Sequence, residues 1–179
     1  MVLFKDGKKE GLHKGWYNTG NLEREIYYKN GLENGIVKSW YENGQLNSEF
    51  VCLDGKIIGK SKNYNENGVL KSELHYKNGE LVKMTVYRDD GSIEVETNYK
   101  NDIIHGSQFF YTLTGDIFSE FNYKDGKKDG FQKQFTFKVG IIGEVYKEGV
   151  FLYDKCFDYN GDEINCDVLW KRHSLSINE

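Results

Sequence analysis

The residues that could do chemistry are few and scattered. Gly55-Lys56-Ile57-Ile58-Gly59-Lys60-Ser61 has the look of a phosphate loop, but its GxxxGKS spacing is one residue short of GxxxxGK[ST]. A true loop of that kind opens a helix whose amides cradle phosphate, whereas this one opens a strand. Asp158-Tyr159-Asn160-Gly161-Asp162-Glu163 offers oxygen ligands without the alternating spacing of a calcium loop, and reads better as a hairpin turn. His13, His75, His105 and His173 lie far apart and share no recurrent position. Metal binding or catalysis would need them to converge. Gly-x-Ser-x-Gly is absent, and no Cys/His pair recurs. Lys and Glu do recur together, and structural charge pairing explains them better than acid–base chemistry. No catalytic residue, metal ligand or cofactor is expected.

What recurs instead is a unit, Tyr28–Val51: YKNGLENGIVKSWYENGQLNSEFV. Copies begin at Phe4, Tyr28, Cys52, Tyr76, Tyr99 and Tyr123, with a degenerate copy from Tyr146 and a cap over about residues 165–179. Fixed periodicity of this kind marks an array in which each unit buries its neighbour. Each copy opens with an aromatic-Lys-Asn/Asp-Gly pattern, carries a second Gly four residues on (Gly11, Gly35, Gly59, Gly106, Gly130), then an aromatic, then a second turn such as Asn43-Gly44. The copy from Tyr76 has lost one residue and has Lys83 at the second Gly position; the copy from Tyr99 has Asp102 at the first. The pattern decays from Tyr146, and Trp170-Lys171-Arg172-His173 matches no unit.

Asn-Gly and Asp-Gly between alternating segments signal β-hairpins, because type I′ turns need positive φ at both central residues. With two such turns, each copy is two strands. About the second turn, Lys14 then falls opposite Glu25, Lys38 opposite Glu49, and Lys62 opposite Glu73. Phe109 replaces the Lys opposite Glu120. About Asn30-Gly31, Ile26 is expected against Gly35. One face carries Trp16, Trp40, Tyr64 and Tyr111 beside the charge pairs and Ile36. The other carries Tyr17, Tyr41, Leu22, Leu46, Leu70, Ile26, Phe50, Leu74 and Phe121, and is expected to be the more buried. Segments of eleven and nine residues between turns imply a slanting sheet or a bulge in the longer strand. The fold expected is all-β: an elongated, single-layer antiparallel meander of tandem hairpin repeats of about 24 residues, as one domain over residues 1–179.

Composition agrees. Aromatics make up 15%, proline is absent, and 20 glycines are left to make the turns. A net charge of −4 argues against a nucleic-acid partner. No apolar run reaches the ~18 residues of a membrane span, and residues 1–11 lack the apolar stretch of a secretory signal. Three cysteines, Cys52, Cys156 and Cys166, fit a reducing compartment, and a cytoplasmic location is expected; a Cys156–Cys166 bridge stays open.

The one row that could recognise something is the aromatic ladder Trp16, Trp40, Tyr64, Tyr87, Tyr111 and Phe135. Sheet packing explains it, but a sheet with two semi-apolar faces cannot bury both alone, and exposed aromatics flanked by charge have the composition of a protein interface. The unit Tyr-Lys-Asn-Gly-x3-Gly-x4-Trp-Tyr-x-Asn-Gly-x-Leu-x2-Glu closely resembles the bacterial variant of the MORN repeat found in the YwqK-like antitoxin-module family, over about residues 4–145. That resemblance implies a meander of hairpins, no enzyme activity, and a scaffold that binds a partner protein in an antitoxin- or immunity-like role. It also implies two alternatives: a secreted or surface-attached protein contacting host components, and a peripheral binder of phospholipid headgroups. The second of these ranks lower, because the lysines are largely paired with Glu.

Overall fold

The computed structural model describes residues 3–136 and 140–167. The turns that open each copy behave as their sequence demands. At Asn30-Gly31 φ is 52° and 85°, at Asp54-Gly55 50° and 79°, and at Asn78-Gly79 55° and 86°. Asn101-Asp102 holds the same conformation, at 51° and 60°, without a glycine. Asn and Asp tolerate this region because a short polar side chain bonds locally.

The second turn of each copy is built differently from the expectation. Gly44 has positive φ and Asn43 does not. The Gly44 amide donates to the Tyr41 carbonyl at 2.9 Å, and the Tyr41 amide donates to the Gln45 carbonyl at 2.8 Å. This is a type I turn closed by a left-handed glycine. Asn43 serves it through its side chain, whose Oδ1 accepts from the Gln45 amide at 2.9 Å.

The chain divides into two compact units, Met1–Ile93 and Glu94–Glu179. The first holds β1 (Leu3–Lys5), β2 (Lys8–Trp16), β3 (Leu22–Lys29), β4 (Leu32–Trp40), β5 (Leu46–Leu53), β6 (Lys56–Tyr64), β7 (Leu70–Lys77) and β8 (Glu80–Tyr87). The second opens with β9 (Ile93–Lys100) and continues through β10 (Ile103–Tyr111), β11 (Ile117–Lys124), β12 (Lys127–Lys128), β13 (Gly130–Thr136), β14 (Gly140–Lys147), β15 (Val150–Phe157) and β16 (Glu163–Ile164). The fold is all-β, an antiparallel hairpin meander that does not close on itself, with β12 beside β13 as a second partner of β11.

The unequal segments are absorbed by bulges. Between the pairs Tyr28↔Glu33 and Ile26↔Val37, β3 advances two residues while β4 advances four. Ile26 therefore faces Val37, not Gly35, because the two extra residues are looped out around Gly35, whose φ is 103°. The same step recurs in β6 and β10. In β8 a single extra residue lies between Leu81 and Lys83. That is the lost residue of the fourth copy, and its smaller bulge asks for no positive φ at Lys83. The degenerate copy from Tyr146 keeps an opening turn that the sequence reading did not single out. Tyr146-Lys147-Glu148-Gly149 is a further opening turn, with Glu148 at 51° and Gly149 at 88°, and it joins β14 to β15.

Within each unit no helix or second sheet covers the strands among the described residues, so little is deeply buried. In the first unit Val37 and Cys52 are the buried apolar side chains, with His13 and Ser61 on the same face and Thr85 buried opposite Glu73; in the second unit Cys156 is buried with Thr97, Ser119 and Gln132. The face bearing Ile26, Phe50 and Leu74 is the more buried one, as the pattern suggested. Cys156 and Cys166 are joined by a disulfide, and Cys52 is a buried free thiol. Asp158 to Asp162 forms the turn between β15 and β16, with the Asp158 side chain accepting from the Asn160 and Asp162 amides. The segment Trp170-Lys171-Arg172-His173 and most of the expected cap lie outside the described residues.

Candidate functional site

The exposed face of the first unit is ordered in rows. Lys14, Glu25, Lys38, Glu49, Lys62 and Glu73 succeed one another across β2 to β7 as direct backbone neighbours. The bulges make this row continuous, since Glu25 meets Lys38 as well as Lys14. Lys14 pairs with Glu25, and Lys38 reaches Glu49 at 3.6 Å. Glu73 departs from the expectation: its ion pair, at 2.7 Å, is with Lys60. In the second unit Phe109 does face Glu120, and the carboxylate turns to Lys133 at 2.7 Å on its other side.

Two residues further along the strands stands the aromatic ladder. Trp16 is exposed, whereas Trp40, Tyr64 and Tyr87 in the first unit, and Tyr111 and Phe135 in the second, are half-buried. The tyrosines are tied to the charge row: Tyr64 donates to Glu49 at 3.2 Å and Tyr111 to Glu96 at 2.9 Å. Burial first, and then the neighbouring carboxylate, raises both phenols, Tyr111 to about 12. They stay neutral donors near neutral pH. From the opposite face Tyr17 and Tyr41 each donate to the backbone carbonyl of a ladder residue in the next copy, Trp40 and Tyr64, at 2.7 Å. In the second unit, Phe135 lines a hollow of ≈ 330 Å³ with Ile117, Ile141 and Tyr159.

On the other side of the charge row lies a feature that residue-by-residue reading of the ladder missed. Leu12 pairs with Tyr27, and Ile36 pairs with Val51. Their exposures are 46%, 45%, 60% and 37%, and Trp16 is at 52%. The signal was present as apolar residues at the alternate positions of β2 to β5 that share a face with Lys14 and Lys38. On the opposite face, His13 is buried, tilted against Tyr28 at 4.7 Å between ring centroids, with its Nε2 unpartnered among the described residues. A buried polar atom left so costs about 1–3 kcal/mol. Among the described residues no group of three or more His, Cys, Asp or Glu is placed to hold a metal ion.

Comparison with curated proteins gives no match. A model of the MORN repeat variant matches residues 9–30, 33–50, 57–78 and 82–101. The match ends where Asp102 replaces the turn glycine, although the strand–turn–bulge geometry continues through Gly106 and Gly126. MORN repeats are generally scaffold or interaction modules without catalytic activity, and this chain carries four repeats of the MORN variant family.

Proposed function

We propose that the protein is a non-enzymatic β-repeat scaffold that binds another protein on the exposed face of its first unit. The observation that carries this reading is the exposed apolar row Leu12, Tyr27, Ile36 and Val51, with the exposed Trp16 across the charge row from it. A contiguous apolar surface rimmed by charge is what an interface core requires. The ladder residues Trp16, Trp40, Tyr64 and Tyr87 border it beyond the charge row, and the second unit carries Tyr111 and Phe135 at the matching repeat positions. The resemblance to the YwqK-like antitoxin modules supports a bacterial, antitoxin- or immunity-like role. The Cys156–Cys166 disulfide favours the second reading, a secreted or surface-attached protein, because disulfides persist in oxidising compartments.

The test is capture of a partner by the wild type and by an Ile36→Ser/Trp16→Ala variant. Both side chains are exposed, so the variant is expected to keep its circular dichroism and melting point. A partner held by the wild type and released by the folded variant supports the proposal. Equal retention by both removes this face as the binding site.

A further inference from the structure

In a repeat array, scaffold positions recur, and a cluster of departures marks a place with a task of its own. The β2–β3 hairpin departs at several positions on the more buried face. Arg24 stands where the next copies have Ser48 and Ser72, and Gly15 where they have Ser39 and Asn63. In those copies the two positions bond to each other, Ser39 with Ser48 at 2.8 Å and Asn63 with Ser72 at 3.1 Å. In the first copy the bond is replaced by a long cation lying over a bare glycine: a Cβ on Gly15 would stand 3.1 Å from both Cγ and Nε of Arg24. Likewise Lys9 replaces Glu33, and His13 replaces Val37.

These departures converge. Lys9, His13, Arg24, Tyr28, Gly15 and Ile26 line one hollow of ≈ 220 Å³, together with Lys14. Lys14 is committed to Glu25 on the far face. Lys9 holds its ammonium 4.7 Å above the Tyr28 ring. Neither Lys9 nor Arg24 has an ion-pair partner among the described residues. Glu23 approaches the same glycine, its Oε2 3.4 Å from the Cβ position, without pairing to Arg24, and no carboxylate lines the hollow. The His13 ring lines it too, with an unpartnered Nε2. In a chain of net charge −4, a hollow lined only by cationic and neutral groups is selective for anions.

We propose that this hollow binds a phosphate monoester group. An Arg alone satisfies a planar carboxylate with its fork. Here a guanidinium, an ammonium and an imidazole stand around one space, which suits a tetrahedral dianion offering acceptors in several directions. The volume admits one such group with a few further atoms and not a nucleotide. This site is independent of the protein-binding face, since it lies on the opposite side of the sheet.

The test titrates glycerol phosphate, followed by the His13 and Arg24 side-chain resonances and by calorimetry at low salt. The comparison is a Gly15→Ser/Arg24→Ser variant, which installs the hydrogen-bonded pair that β4 and β5 already fold with. Binding by the wild type, weakened at least tenfold in the folded variant, is the expected result. A second arm uses vesicles of phosphatidylcholine with and without phosphatidic acid. Phosphatidic-acid vesicles bound without binding of glycerol phosphate assign the phosphate to a lipid headgroup; binding of glycerol phosphate assigns it to a soluble ligand. No binding in either arm, or equal binding by wild type and variant, overturns the proposal. Neither result bears on partner capture through Ile36 and Trp16.

Discussion

Tyr41 ties one copy to the next through a single atom. Its hydroxyl donates to the Tyr64 carbonyl at 2.7 Å in a part-buried setting. Tyr41→Phe is expected to cost about 1 kcal/mol in urea denaturation, the net worth of one such bond, and an unchanged midpoint would assign the link to ring packing alone. Tyr111 and Cys52 carry a pH dependence. Burial, reinforced by Glu96, lifts the Tyr111 phenol from 10.0 to about 12, and burial, reinforced by Glu33, lifts the Cys52 thiol from 9.0 to about 11. Each raised value means that the fold favours the protonated form. That stability is whole below the unfolded value and is lost as pH climbs through the folded one. Stability should therefore fall between about pH 9 and 12, and Tyr111→Phe together with Cys52→Ala should flatten that fall. At this scale the Lys–Glu neighbours were legible, because turn position and period fix which residues face each other. The partner of Glu73 was not, because the flexible Lys60 stem reaches it from two residues along the strand as readily as Lys62 does from directly opposite. The departures at Gly15 and Arg24 were legible only once the register placed them side by side.

At the level of the hairpin, the bulge decides the register. Gly35 holds a φ of 103°, and a Cβ there would meet only the Tyr27 Cβ at 3.9 Å. Space is available, so the cost of a side chain is conformational. Gly35→Ala should lower stability by roughly 1–2 kcal/mol, whereas Gly15→Ala, at ordinary φ, meets only the flexible side chains of Arg24 and Glu23 and should cost less. Equal losses in urea denaturation would contradict this account of the bulge. The existence and order of the hairpins were readable from Asn-Gly and Asp-Gly spacing. The bulge was readable only as one of two ways to absorb two surplus residues, because sequence counts residues and does not say which of them leave the ladder. Lys83, in the copy with one residue fewer, shows the rule from the other side: when the surplus halves, the glycine is dispensable. Glu148-Gly149 was passed over because Glu is an uncommon residue for a left-handed turn position.

For the molecule as a whole, stability is distributed along an array rather than gathered in one core, since Val37, Cys52 and Cys156 are the buried apolar side chains among the described residues. In such arrays a perturbation acts on its own unit and its neighbours first. The Cys156–Cys166 disulfide, closing a loop over a sequence separation of 10, tests this. Tying so short a loop limits the unfolded chain by about 3 kcal/mol in the chain-entropy account. Sequence alone left the pairing open, because three cysteines without a framework do not specify a bridge. Reduction should lower hydrogen-exchange protection first at the amides of β15 and β16, which the bridge holds together, and then at their neighbour β14, while β3 to β6 keep theirs. The same comparison made with Cys156→Ser/Cys166→Ser should reproduce the pattern without a reductant. If protection in β3 to β6 falls as far and as early as in β15, the chain opens as one cooperative body, and the division into units at Ile93 has no energetic meaning.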